Sequence, residues 1–312
     1  MPLQADHLVD RRRLKRRLAA WRLGTLAAVL ALIVLGLERV GVLGRDYVAR
    51  LDIEGVITED LERDEALERV AGDRRAKALI VRINSPGGTV VGGEALYRRL
   101  RLVSEAKPVV AVMGEIATSA GYLIALGSDR IIGRQGTITG SIGVILQTAN
   151  ITGLLDTLGI KTEAIRSAPL KARPSPLEEM SPEVREAVER VVQDMYGMFV
   201  GIVQERRNLS QEQVMEVSDG RIFTGRQAIE NGLIDAIGSE SDARAWLADV
   251  HGVDQDLAVR ELEYDDASLW VRQRVASLFG KSLLSETLRL DGLVSVWHPQ
   301  ARSAANGSPA PF

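Results

Sequence analysis

Apolar positions along the chain fall into short blocks, and the length and spacing of the blocks sort them into strands and helices. Tyr47–Ile57 (YVARLDIEGVI), Ala78–Ile83 (ALIVRI) and Val109–Met113 (VVAVM) are β-branched-rich runs that predict buried strands. Between the first two, Asp60–Arg75 is charged with apolar residues at helical spacing. Asn84-Ser85-Pro86-Gly87-Gly88 reads as a tight turn into a helix from about Val91 to Ser104. After Val109–Met113 come the small residues Gly114 and Ala117-Thr118-Ser119-Ala120-Gly121, and Tyr122–Leu126 starts a helix. Further strands are predicted at Arg130–Ile132 and Thr162–Arg166, and Thr139–Ile145 continues the sheet. Ile151–Leu158 predicts a short helix closed by Gly159.

Ser181-Pro182-Glu183 supplies an N-cap, a proline at the first helical position and an acid in the first turn. The helix it opens carries Val184, Val188, Val191, Met195, Phe199 and Ile202 on one face. Ser210–Val217, Arg226–Asn231 and Ser241–Val250 predict short helices. Alternating strands and helices joined by short turns predict an α/β domain with a mainly parallel sheet. Beyond Asp265 the pattern weakens: Leu269–Leu290 has amphipathic helical spacing, and Ser303–Phe312 has the composition of a disordered tail.

The N-terminal pattern differs from everything after it. Residues 1–22 carry Arg11, Arg12, Arg13, Lys15, Arg16, Arg17 and Arg22 against Asp6 and Asp10, and Leu23–Leu37 then runs without a charge. Fifteen residues are short for a bilayer span, which needs about 20; flanking apolar residues extend it, with Arg22 and Arg39 at the interfaces. Gly36-Leu37-Glu38-Arg39 is a poor cleavage site, which favours an uncleaved anchor over a removed signal. The expected organisation is a cytoplasmic basic tail at 1–22, a transmembrane signal anchor at 23–43, a catalytic domain at 45–250 on the far side of the membrane, and a C-terminal extension at 251–312.

Composition narrows the chemistry. With 46% hydrophobic residues, 312 residues hold a substantial core, and a formal net charge of −3 gives no sign of bulk nucleic-acid binding. There is no cysteine, which excludes thiol catalysis, disulfides and thiolate metal sites. His7, His251 and His298 lie far from the glycine-rich centre, so a Ser–His–Asp triad is not expected, and no ligand spacing predicts a metal or another cofactor. Lysine is scarce: Lys15, Lys77, Lys107, Lys161, Lys171 and Lys281.

Two serines then need explaining. Ser119 stands where a buried strand meets a helix, a position that exposes a hydroxyl beside backbone N–H groups and suits acyl transfer. Ser141 follows in Thr139-Gly140-Ser141-Ile142-Gly143. Small residues around Ser119 also fit close packing, and the Ser-Pro-Gly-Gly stretch fits an ordinary turn.

In order and spacing, Asn84–Gly88, Met113–Tyr122 (MGEIATSAGY), Thr139–Ile145 (TGSIGVI), Ser167–Lys171 (SAPLK) and Asp219–Ala228 (DGRIFTGRQA) resemble the short form of the signal peptide peptidase A family, membrane-anchored bacterial serine peptidases. The resemblance runs from about Tyr47 to Leu247. It implies a fold like the Clp protease subunit and the crotonases, and a Ser–Lys dyad with Ser119 as nucleophile and Lys171 as general base. It further implies that Ser141 supports the lysine, and that Gly88 with Ala120 donates to the oxyanion. A base must be neutral, which desolvation of the lysine favours; Arg173, if close, would favour it too. The family brings serine and lysine together from neighbouring units of a ring-like homo-oligomer, on the extracytoplasmic (periplasmic) face of the inner membrane, where remnant signal peptides and other short hydrophobic segments are cleaved. Here Thr118-Ser119-Ala120-Gly121 replaces the family's usual Ala-Ser-Gly-Gly, and Ala-Arg-Pro follows Lys171. Two other readings share the fold: a catalytically silent oligomeric membrane scaffold, and a crotonase-like acyl-thioester enzyme.

Overall fold

The computed structural model describes residues 18–32, 45–262 and 264, and the backbone of 293–296. The basic tail before residue 18, the second half of the expected membrane span, the expected helix Leu269–Leu290 and the tail Ser303–Phe312 lie outside these residues. Residues 18–32 are helical (α1) and form a unit separate from the main body. Among the described residues no helix is long and apolar enough to cross a membrane.

The main body begins with β1 (Tyr47–Ile57), α2 (Leu61–Gly72), β2 (Ala76–Thr89), α3 (Val90–Ala106), β3 (Val109–Thr118), α4 (Ala120–Ala125) and β4 (Arg130–Gly133). β5 (Ile138–Gly140), β6 (Ile145–Leu146), α5 (Thr152–Thr157), α6 (Pro182–Arg207), α7 (Gln211–Val217), β7 (Ile222–Thr224) and α8 (Gly225–Glu230) follow. The chain then gives β8 (Ala236–Ile237), α9 (Glu240–His251), β9 (Ala258–Glu261) and β10 (Leu293–Val296). Among the described residues ten strands share one sheet with a parallel centre, β1–β2–β3–β4–β8; β7 and β10 enter antiparallel. The fold is α/β with a mostly parallel sheet, as the pattern predicts.

The central strands are apolar on successive residues because both sheet faces are covered. Leu51, Leu79, Val81, Ala111 and Met113 point to a core shared with α2, α3, α4 and α6, whereas Val48, Ala78, Ile80, Val110 and Val112 pack with Ala243 and Leu247 of α9. Tyr122 of α4 is fully buried and its hydroxyl donates to Leu233 O at 2.9 Å; burial pushes the phenol far above its ordinary pKa. The Ser181 cap forms as expected, its Oγ accepting from Val184 N at 3.3 Å.

Several expectations need correcting. Asn84–Gly88 is no turn: β2 runs through it to Thr89, whose hydroxyl caps α3 directly by accepting from Gly92 N at 3.0 Å. Thr162–Arg166 forms no strand. The face of α6 is broken, with Val184 and then Phe199, Val200 and Val203 buried while Val191 is 44% exposed. Beyond residue 251, β9 pairs in parallel with β1 (Tyr47 opposite Ala258) and β10 pairs with β2 and β6. Short polar-flanked strands of this kind owe their place to an open sheet edge rather than to their own pattern.

Candidate active site

The centre of the site is the junction of β3 and α4. Ser119 has φ 56° and ψ −120°, a conformation few side chains adopt, and occupies the N-cap of α4 without a side-chain cap bond. Backbone contacts hold it there. Its N–H donates to Gly140 O at 2.8 Å, and its carbonyl accepts from Leu123 N at 2.9 Å. On one side the Thr118 hydroxyl donates to Pro86 O at 3.0 Å; below, the Thr139 hydroxyl donates to Ala117 O at 2.7 Å. A sharp strand-to-helix turn of this sort places a serine at a sheet rim, the geometry of nucleophile elbows. Ser119 is only 1% exposed.

The small residues around Ser119 have a packing reason. A Cβ on Gly121 would lie 2.9 Å from Ser85 O, and one on Gly93 of α3 would lie 3.0 Å from the Ala120 methyl. Ala120 and Gly121 therefore let α4 sit directly on α3 and β2, which keeps Ser119 beside the tip of β2.

That tip is built from the Asn-Ser-Pro-Gly-Gly motif. Pro86 brings no N–H to the ladder, and the register to β1 and β3 shifts here, with Glu54 opposite Asn84 and Val56 opposite Gly87. Side chains supply the missing bonds. Ser85 Oγ donates to Gly55 O at 2.6 Å and accepts from Gly87 N at 3.1 Å, while Asn84 Oδ1 accepts from Glu115 N and Ile116 N at 3.2 and 3.3 Å. The motif thus stays in the sheet as an irregular strand. Gly88 sits opposite Ile57, where a Cβ would fall 1.8 Å from Ile57 O. Its missing side chain is required by the approach of β1.

β5 leads into the second serine. Gly140 has φ 83° and Ser141 φ 52°, and Ser141 N donates to Arg221 O at 2.8 Å. Arg221 leads into β7, which pairs antiparallel with β5 (Gly140 opposite Ile222). The Asp219–Ala228 motif, to which sequence reasoning gave no role, is the outer support of the loop that holds both serines. Ser141 is half-buried and follows Gly140, the residue bonded to Ser119.

Lys171 lies in an exposed turn, its N–H donating to Ala168 O at 3.1 Å. Among the described residues its ammonium has no hydrogen-bond or ion-pair partner, so a single chain does not join it to Ser119. Arg173 is engaged elsewhere: Arg173 and Arg166 both pair with Glu178. The Arg166 hydrogen bond foremost holds the Glu178 carboxyl below its usual range. Leu154, Leu158, Ile160, Ile165, Leu170 and Leu177 stand exposed along this same segment, Ile165 at 97%. His251, the histidine among the described residues, meets Trp246 edge-on on α9, with ring centroids 4.7 Å apart.

Residues 101–254 match the family described as Peptidase family S49. A Synechocystis protein described as a candidate protease is 44% identical over 214 residues, which cover 68% of this chain and 77% of that protein. An Enterococcus faecium protein described as a candidate signal peptide peptidase is 32% identical over 250 residues, covering 75% of this chain and 72% of its own. A solved structure of ClpP1 from Listeria monocytogenes aligns at 18% identity with a TM-score of 0.42, covering 62% of this chain and 92% of that one.

Proposed function

The chain belongs to peptidase family S49 and is a serine peptidase, and from that premise we propose that Ser119 is its nucleophile, with Lys171 of a second copy as general base. The observation that carries the reading is the strained elbow at Ser119, φ 56°, clamped between Gly140 O and the first turn of α4. Strain of this kind persists where the surroundings over-determine it, and it serves to present one side chain.

The chemistry then runs as acyl transfer. Neutral Lys171 Nζ takes the proton from Ser119 Oγ as Oγ bonds to the scissile carbonyl carbon, and the backbone N–H groups of Gly88 and Ala120 receive the oxyanion. The new lysine ammonium returns its proton to the leaving amine as the C–N bond breaks. The lysine then takes a proton from water as the water oxygen bonds to the acyl carbon, and gives it to Ser119 Oγ as the ester C–O bond breaks, which frees the serine and the acid product. Ser141 holds the lysine amine in place. Supply of the lysine from a second copy is supported by its ammonium having no partner among the described residues and by the exposed apolar side chains on its own segment, a surface suited to burial against another subunit.

The substrates under this reading are remnant signal peptides and other short hydrophobic segments. Residues 23–43 anchor the chain, and the basic residues 1–22 stay in the cytoplasm, so the catalytic domain faces the extracytoplasmic side. In support, α1 presents apolar residues all round: Trp21, Leu23, Leu26, Val29 and Leu32 are all exposed. The test is hydrolysis of a synthetic signal peptide by the full chain in detergent, wild type against Ser119→Ala. Equal rates would overturn the assignment of Ser119. A reporter active only outside the cytoplasm, fused after Leu247, tests the topology; activity of a cytoplasmic reporter there instead would overturn it.

A further inference from the structure

Pro86 is the weak point in the tip of β2. The register with β1 passes from Glu54–Asn84 to Val56–Gly87, and that with β3 ends at Ser85–Ala117. The pairing with β10 covers Gly87 to Thr89, so among the described residues no strand residue stands opposite Pro86. Gly87 follows with φ 119° and no Cβ to restrict it, so the peptide plane between the two turns at little cost. Two side chains stop it. The Thr118 hydroxyl donates to Pro86 O at 3.0 Å, and Ser85 Oγ accepts from Gly87 N at 3.1 Å. That C=O and that N–H belong to one planar trans unit and point to opposite sides, so the plane is held at both ends.

Both anchors are fully buried. Ser85 Oγ donates to Gly55 O at 2.6 Å, which ties it to β1. Thr118 gives its hydroxyl proton to Pro86 O, 32 positions away in sequence, and directly precedes Ser119. Its backbone is fixed from the other side, with Thr118 opposite Gly140 of β5. The Thr118 bond therefore joins the strand end that leads into the proposed nucleophile to the strand tip that carries the proposed oxyanion donor, Gly88.

We propose that Thr118 is a positioning residue for acyl transfer: its hydroxyl, by holding the Pro86 carbonyl, sets the Gly88 N–H relative to Ser119. This rests on the reading of Ser119 as nucleophile and Gly88 as oxyanion donor. Gly88 has no side chain to fix its own place, and the approach of β1 leaves no room for one. Rotation of the plane before it shifts the Gly88 N–H from the oxygen it would receive. The loss then falls on the transition state, where charge develops on that oxygen, and spares ground-state binding of the peptide. Removing an oxyanion donor costs about 100- to 1000-fold in rate, and displacing one that is still present should cost less, roughly tenfold.

The experiment uses the full chain in detergent with a synthetic signal peptide. Thr118→Val keeps the branched shape without the hydroxyl, Thr118→Ala removes the hydroxyl without adding a methyl, and Thr118→Ser keeps the hydroxyl. In the valine and alanine variants kcat should fall about tenfold with KM changed less than about twofold, and the serine variant should recover most of the wild-type kcat. Rates are taken well below each unfolding midpoint, so lost stability alone does not lower them. A second arm needs no catalysis. In Ser119→Ala protein, amide hydrogen exchange of the segment Asn84–Thr89 should be about tenfold faster with Thr118→Val than with Thr118, and Thr118→Ser should restore the slow rate. An unchanged kcat in both hydroxyl-free variants overturns the proposal, and so does a loss in the serine variant as deep as in the valine one. A raised KM at constant kcat, or exchange that does not respond to the hydroxyl, overturns it as well. Undiminished hydrolysis by Ser119→Ala protein, with the exchange difference intact, overturns instead the role of Ser119 and leaves the hold of Thr118 on the strand tip standing.

Discussion

The N–H of Ser119 donates to the carbonyl of Gly140 at 2.8 Å, and that bond joins the two serine motifs into one device. Gly140 is followed by Ser141, whose own N–H is taken by Arg221 O at 2.8 Å, so β7 supports β5 and β5 supports the elbow. Both serines and Gly140 have positive φ. Two of these positive φ values fall on serines, so backbone strain concentrates where the proposed chemistry occurs, close in sequence to the fully buried Tyr122 and Ile142.

Strain at Ser119 predicts a separation between stability and activity. A glycine tolerates φ 56°, whereas alanine keeps the Cβ conflict. Ser119→Gly and Ser119→Ala should both lose fluorophosphonate labelling, yet the glycine variant should be the more stable of the two by about 1 kcal/mol, part of the gain being offset by its freer unfolded chain. Thermal unfolding of the two full-length variants measures this. An alanine variant as stable as the glycine one would mean that the elbow stores no strain.

Gly88 makes the opposite kind of demand. A Cβ there would stand 1.8 Å from Ile57 O, which cannot be relieved without moving β1 from β2. Gly88→Ala should therefore destabilise the fold by about 3 kcal/mol or more, through overpacking against backbone. Gly72→Ala, where nothing lies within 4 Å, should leave the midpoint nearly unchanged. A Gly88→Ala protein that unfolds with the wild type would show that β1 yields there.

The contrast between these glycines explains what could be read from the sequence. Apolar runs such as Ala78–Ile83 and Val109–Met113 declared the central strands because both of their faces are buried, and Ser181 announced its helix through a hydroxyl cap. Asn84–Gly88 was misread because proline and paired glycines normally mark a turn. What keeps the segment in the sheet is a set of long-range bonds, Ser85 to Gly55 and Asn84 to Glu115 and Ile116, that local propensity does not encode. β10 was invisible for a related reason, since its place depends on an edge exposed by the departure of β3. The strand-to-helix junction at Ser119 was legible from its setting between a β-branched strand and small residues. The parts played by Gly140 and Arg221 are carbonyl positions, and no side-chain pattern reports those.

Ser141 supports rather than attacks in the proposed mechanism, and its substitution should show it. Ser141→Ala leaves the Ser119 hydroxyl and the Ser141 N–H bond to Arg221 O in place. Peptide hydrolysis should fall while fluorophosphonate labelling persists at a reduced rate, because only the placement of the lysine suffers. If Ser141→Ala abolishes labelling while Ser119→Ala still labels, the two serines exchange roles.

Lys171 gives the most demanding test, because its proposed partner lies in another molecule. In one chain its ammonium has no partner among the described residues, and its segment exposes Leu154, Leu158, Ile160, Ile165, Leu170 and Leu177. Lys171→Ala should reduce hydrolysis by about 100- to 10,000-fold, the usual contribution of a positioned base. Lys171→Arg should fail as well, since a guanidinium keeps its proton. Each of Ser119→Ala and Lys171→Ala is then inactive for a different reason. When the two are dissociated, co-refolded and assembled together, a Ser119 from one variant should meet a Lys171 from the other and restore part of the activity. Two affinity tags verify that mixed assemblies have formed, which separates failure of catalysis from failure of mixing. Restored activity in doubly tagged material places the dyad across a subunit boundary; verified mixed assemblies without activity mean that each chain uses its own lysine.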